Sequence, residues 1–137
     1  MISNFEIKDN YAVVFRKRHI DLHNNFKFDC FIYETAKQQF TMKWIRSMGD
    51  WVKEDEIAWL TLIHYHVSYL RLNEMDDQSQ LGDFCLGELT FFPSSQREIN
   101  TDLLLQANPD SNDDILYYFE NGQYIRICCE IIELQCG

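Results

Sequence analysis

The chain has 137 residues, 46% of them hydrophobic, and twelve Lys and Arg against twenty-two Asp and Glu, a formal net charge of −10. That length suits one domain with a core large enough to need neither disulfide nor metal, so a single domain over residues 1–137 is expected. So negative a chain disfavours nucleic acid and anionic lipid as partners and favours a cationic protein.

The charge is uneven along the sequence. Up to Lys53 there are nine cations against six carboxylates, and beyond it three against sixteen, about +3 and −13. Cys30, Cys85, Cys128, Cys129 and Cys136 are odd in number and form no CxxC, the pattern of reduced thiols in a cytoplasm. The first six residues carry neither a basic run nor an apolar one, which argues against a secretory signal. The longest apolar-looking stretch, Ile57 to Leu72, is broken by Thr61, His64, His66, Ser68 and Arg71, so no membrane span and a cytoplasmic location are expected.

In chain order, Tyr11, Val13 and Phe15 alternate as a half-buried strand does. Phe26 to Tyr33 is apolar at both parities and reads as a strand covered on both faces. Phe40, Met42 and Trp44 alternate again. Ile57 to Leu72 could line a helix through Leu60, Ile63, Val67 and Leu70. Its Trp59, Thr61, Ile63, Tyr65, Val67 and Tyr69 suit a pleated surface better, and strand is expected. A polar, acidic loop over 73–80 precedes a further strand from Phe84 to Phe92. Ser95-Gln96-Arg97-Glu98 is a capping box, after which Ile99, Leu103 and Ala107 recur every four residues until Pro109, so one short helix near residues 96–107 is expected.

Ile115 to Phe119 and Tyr124 to Ile131 flank Asn121-Gly122, a pair that tolerates the positive φ angles of a two-residue hairpin turn. That loop length would place Leu116 and Tyr118 on one face with Ile125 and Ile127. Ile115, Tyr117 and Phe119 would then share the other with Tyr124, Arg126 and Cys128. The fold class is mainly β, or α+β if the helix is weighted: an antiparallel sandwich or strongly curved sheet with one short helix.

The run Ile57-Ala58-Trp59-Leu60-Thr61-Leu62-Ile63-His64-Tyr65-His66-Val67-Ser68-Tyr69-Leu70, with Gly122-Gln123-Tyr124-Ile125-Arg126-Ile127, resembles small β-rich bacterial immunity proteins in strand texture and acidity. The likeness spans about half the chain, and no invariant motif of that group maps to a position here. It implies a non-enzymatic cytoplasmic inhibitor that binds a cognate toxin domain, often a basic nuclease. The basic N-terminal part departs from the pattern.

Read from the residues alone, Asp76, Asp77, Asp83, Asp110, Asp113, Asp114 and Glu120 lie in or beside loops, where solvated carboxylates could meet a cationic partner; acidic loops also serve solubility alone. Tyr117, Phe119 and Tyr124 have two readings, anchors on an exposed sheet face or the inside of a second buried face. As exposed anchors they would also suit a self-associating structural module. His64 and His66, two apart on a strand, point to one side and could reach one metal ion in a metal-dependent enzyme; the alternative is a pair of imidazoles hydrogen-bonded within the sheet. Asp110, Asn112 and Asp114 match the start of a calcium loop, but Ile115 stands where its glycine belongs and Asn121 where its bidentate Glu belongs. No nucleophile elbow, phosphate loop or dinucleotide fingerprint is present, and neither a catalytic residue nor a cofactor is assigned.

Overall fold

Apolar alternation is realised as twelve strands among the residues described, 1–73, 85–97 and 106–137 of a computed structural model. They are β1 (Ile2–Ser3), β2 (Glu6–Lys8), β3 (Ala12–Phe15), β4 (Arg18–Asp21), β5 (Phe26–Glu34), β6 (Gln39–Arg46), β7 (Trp59–Tyr65), β8 (Tyr69–Leu72), β9 (Leu86–Pro93), β10 (Asp113–Phe119), β11 (Tyr124–Cys128) and β12 (Ile131–Cys136). The expected helix falls mainly on 98–105 and the expected loop mainly on 74–80, both outside the described residues. Ser94–Gln96 form a single 3-10 turn, and Gln106 to Asn108 are not helical.

Five strands make one sheet in the order β1-β12-β7-β6-β5, four make a second in the order β8-β11-β10-β9, and β2-β3-β4 make a small third. All pairs are antiparallel except β1 with β12. Phe40, Met42, Trp44, Leu60, Leu62, Ile132 and Leu134 of the first sheet are buried against Leu89, Phe91, Ile115, Tyr117, Phe119, Ile125 and Ile127 of the second. Ring contacts join the two layers: Trp44 lies 6.0 Å from Tyr117 and Phe28 lies 4.9 Å from Phe119, centroid to centroid. The fold is thus mainly β, with sandwich packing at its centre.

The stretch from Ile57 to Leu72 is extended, as its composition predicts, but it is two strands in two sheets. Tyr65 pairs with Ile131 in the five-stranded sheet and Tyr69 with Cys128 in the four-stranded one. Three residues on one side, His66 to Ser68, oppose two on the other, Cys129 and Glu130, and His66 takes up the surplus at a φ of 56°. Ser68 donates its N–H to Cys128 O and Glu130 donates to Tyr65 O, so the ladder turns the corner with its backbone groups paired.

The β10–β11 hairpin corrects the expected register. Phe119 N–H donates to Gln123 O, leaving a three-residue loop, Glu120-Asn121-Gly122, with Gly122 at a φ of 86°. Tyr117 therefore faces Ile125, not Tyr118, and every side-chain assignment moves by one. Ile115, Tyr117 and Phe119 share the core face with Ile125 and Ile127, while Leu116, Tyr118, Tyr124 and Arg126 share the other.

The edges differ from expectation as well. On β5 a bulge between Phe28 and Cys30 carries the strand's far half past its cover, so Asp29 to Tyr33 are exposed where two buried faces were expected. The partly exposed β1 edge ends at Ser3, and the Asn4 side chain continues the ladder: Leu134 N–H donates to Asn4 Oδ1 at 2.7 Å and Asn4 Nδ2 donates to Leu134 O at 3.2 Å.

Phe15 pairs with Arg18, so Arg16-Lys17 is a two-residue turn, with φ of 49° and 66°. Such a turn favours Asn-Gly, and a long side chain at the second position resists the left-handed region. Lys17→Gly is expected to raise unfolding stability by roughly 0.5–1 kcal/mol, the relief of strain exceeding glycine's added unfolded-state entropy. Urea titration of the two proteins measures it; a less stable variant would show that the lysine is not strained.

Candidate interaction surface

Asp114, the second residue of β10, points away from the sandwich core, yet its side chain is fully buried. Arg97 donates to both carboxylate oxygens, Nε to Oδ2 at 2.9 Å and Nη2 to Oδ1 at 2.8 Å, and Arg126 Nε donates to Oδ2 at 2.5 Å. Burial raises the Asp114 pKa, but the hydrogen bonds and charges of Arg97 and Arg126 outweigh it and hold the group below its ordinary value. Arg97 also stacks 3.7 Å from the Tyr69 ring centroid, and Arg126 Nη2 donates to Pro93 O. Asp114 is thus a structural counter-ion, and the expectation that it meets a partner is corrected.

Asp113 is buried too, accepting from Gln106 Nε2 at 2.6 Å and from the Asp110 N–H at 2.8 Å. The polar run before the hairpin reads as open loop, but strand β10 begins two residues earlier than its apolar residues indicate. Tyr117 and Phe119 sit in the core, which removes them as partner anchors and as a self-association face. Tyr124 is half-buried, 6.0 Å from Tyr118. Asp110 and Glu120 are exposed, Glu120 with its Oε1 3.7 Å from His23 Nδ1. Asp76, Asp77 and Asp83 lie outside the described residues.

His64 and His66 do not converge. His64 is buried, its Nδ1–H donating to Phe40 O at 2.8 Å and its Nε2 accepting from the Tyr117 hydroxyl at 2.8 Å, so neither ring nitrogen faces a metal. Burial depresses its pKa to about 4 and fixes it as neutral imidazole, while the hydroxyl of Tyr117 is pushed up by the same desolvation. His66 is exposed at the corner. Among the described residues no group of three His, Cys, Asp or Glu is placed to hold a metal ion.

Two of the five thiols, Cys30 and Cys129, are held toward the protonated form. Burial pushes Cys129 up to about 12, and slight desolvation with the neighbouring Asp29 carboxylate raises the exposed Cys30. Cys85 Sγ lies 3.5 Å from His23 Nδ1, but that nitrogen is 2.6 Å from Leu86 O and must carry the proton it donates there. The imidazole is therefore not placed to take a proton from the thiol.

Several large apolar side chains are exposed. On the outer face of the five-stranded sheet Ile45 and Trp59 form a cross-strand pair, both exposed, opposite in direction to the buried Trp44 and Leu60. At the same end the connection from β6 to β7, residues 47–58, carries Met48 at 99% exposure and Trp51 at 68%. Asp50, Glu54 and Asp55 in that connection are exposed, with Lys53 among them. Apolar anchors ringed by charge are the composition of a protein-binding patch. The signal was present in the sequence as a tryptophan and a methionine stranded in a polar segment with no apolar period. No helix among the described residues is long and apolar enough to cross a membrane. No family model matches the chain, and neither a curated protein nor a solved structure matches it.

Proposed function

We propose that the chain is a non-enzymatic, cytoplasmic binding protein that inhibits a cationic bacterial toxin domain by direct contact. The observation that carries this reading is the exposed Trp51 and Met48 set among carboxylates in a chain of net charge −10. Negative potential steers a basic partner at low salt, and desolvated aromatic anchors supply the affinity that charge alone does not. The resemblance to immunity proteins in strand texture points the same way, and a basic nuclease is the toxin class that fits it. Asp110 and Glu120 are exposed at opposite ends of β10, whereas Asp113 and Asp114 belong to the fold.

The test is co-expression with the domain encoded immediately upstream. The expected result is restored growth of cells that the domain alone kills, and a complex on size exclusion that weakens as salt rises. A toxic neighbour that this chain neither binds nor neutralises, or a neighbour without toxicity or affinity for it, overturns the reading.

A further inference from the structure

We propose that the 47–58 connection is a preformed docking anchor: Trp51 and Met48 enter an apolar pocket on a partner protein, and Asp50, Glu54 and Asp55 meet lysines or arginines at that pocket's rim. The inference rests on the binding-protein reading above and names the contact.

An exposed tryptophan on a loose loop would signify little, but this one is held. Its indole Nε1–H donates to Asn24 O at 2.8 Å. Its six-membered ring lies over Gly49, where an added Cβ would come within 2.1 Å of ring carbons, so the sequence keeps a glycine where the indole rests. Val52 N–H closes a turn on Gly49 O.

The base of the connection is clamped as well. Ser47 N–H donates to Asn25 O, and Arg46 Nη1 donates to Glu56 O at 2.8 Å. The Glu56 carboxylate accepts from Arg18 Nη2 at 3.2 Å, from Asn25 Nδ2 at 3.3 Å and from the Ile57 N–H at 3.1 Å, and Arg18 also donates to Asp55 O. These bonds fix the base of the connection and the Trp51 ring, most of which stays exposed. The ordering cost is met before any encounter, which is how preorganised interfaces gain affinity.

Charge selects the occupant. With Glu56 engaged by Arg18, the exposed carboxylates Asp50, Glu54 and Asp55 stand against Lys53 and Arg46, whose guanidinium bonds the Glu54 and Glu56 carbonyls. The connection thus keeps an acidic excess, and a second copy would bring the same carboxylates to the contact within a body of net charge −10. A basic partner relieves that repulsion.

The experiment titrates the purified upstream-encoded domain against the full chain and three variants at low and moderate salt. Trp51→Ala is expected to weaken binding about 100-fold or more, as hot-spot truncations do. Gly49→Ala keeps the indole but dislodges it, and a loss of about 10-fold is expected with unfolding stability nearly unchanged. Neutralising Asp50, Glu54 and Asp55 together should weaken binding at low salt and flatten its salt dependence. Trp51→Ala binding as tightly as wild type overturns this inference and leaves the functional reading standing; a wild-type chain that does not bind overturns both. A Trp51-dependent dimer of the chain alone would assign the surface to a second copy and overturn the proposed occupant.

Discussion

Asp114→Ala is expected to destabilise the protein by about 3–5 kcal/mol, the cost of stranding a buried charge rather than the worth of an ion pair. Arg126, almost wholly buried, would keep its bond to Pro93 O and the Phe92 ring 5.6 Å away but lose the carboxylate that its Nε meets. Arg97 is more exposed and can turn to water, so the burden falls on Arg126. Urea unfolding of wild type, Asp114→Ala and the double variant Asp114→Ala/Arg126→Met separates the two effects. Removing both charges should recover much of the loss, because an apolar side chain needs no partner there. A single variant within about 1 kcal/mol of wild type would show that the carboxylate is not what keeps Arg126 inside.

Stability should also fall by about 3 kcal/mol between pH 7 and pH 4 through His64 alone. The imidazole is held neutral in the native state with a pKa of about 4, whereas in the unfolded chain it titrates near its ordinary 6.5. Between those values the unfolded state binds the extra proton, so acid favours unfolding, and the effect is complete once pH drops below the native pKa. The geometry opposes protonation independently, since Nε2 already accepts the Tyr117 proton and a second hydrogen there would meet a donor. Asp114 acts in a lower window. Its native pKa is depressed, so its contribution is present above the ordinary carboxylate value and fades only as pH falls through the depressed one. Unfolding free energies at pH 7, 6, 5 and 4 should therefore decline earlier than carboxylates explain. A flat profile down to pH 5 would contradict the assignment to His64.

Much of the β framework was legible because strands announce themselves by alternation. Val13 and Phe15, Phe40, Met42 and Trp44, and Ile125 and Ile127 are buried as their period predicts. What failed were the positions where one residue decides a face. Asn121-Gly122 signals a tight turn correctly, but loops of two and three residues both use Gly at positive φ, and only the pairing of Phe119 with Gln123 distinguishes them. That single step moved Tyr117 and Phe119 beside Ile125 and Ile127 in the core, and with them went two proposed anchors. Asp113 and Asp114 were misread for a related reason. Carboxylates in a polar run look solvated, and nothing local reveals that Arg97 and Arg126, two of the three cations beyond Lys53, are spent on one of them. The corner at His66 was equally silent, because strand texture continues through it while the ladder changes sheets. Trp51 and Met48, by contrast, needed only a question that alternation does not ask: which large apolar side chains have no periodic neighbours to bury them.

The placement of β12 constrains how the molecule can be made. This last strand in chain order is internal to the five-stranded sheet, between β1 and β7, and joins Ile2 to Ile131 across nearly the whole sequence. The contact of Ile2 with Ile131 forms only when residues about 130 positions apart meet, so loop-closure entropy makes the seating of β1 beside β12 one of the slower steps of folding, behind hairpins such as β3–β4 and β10–β11.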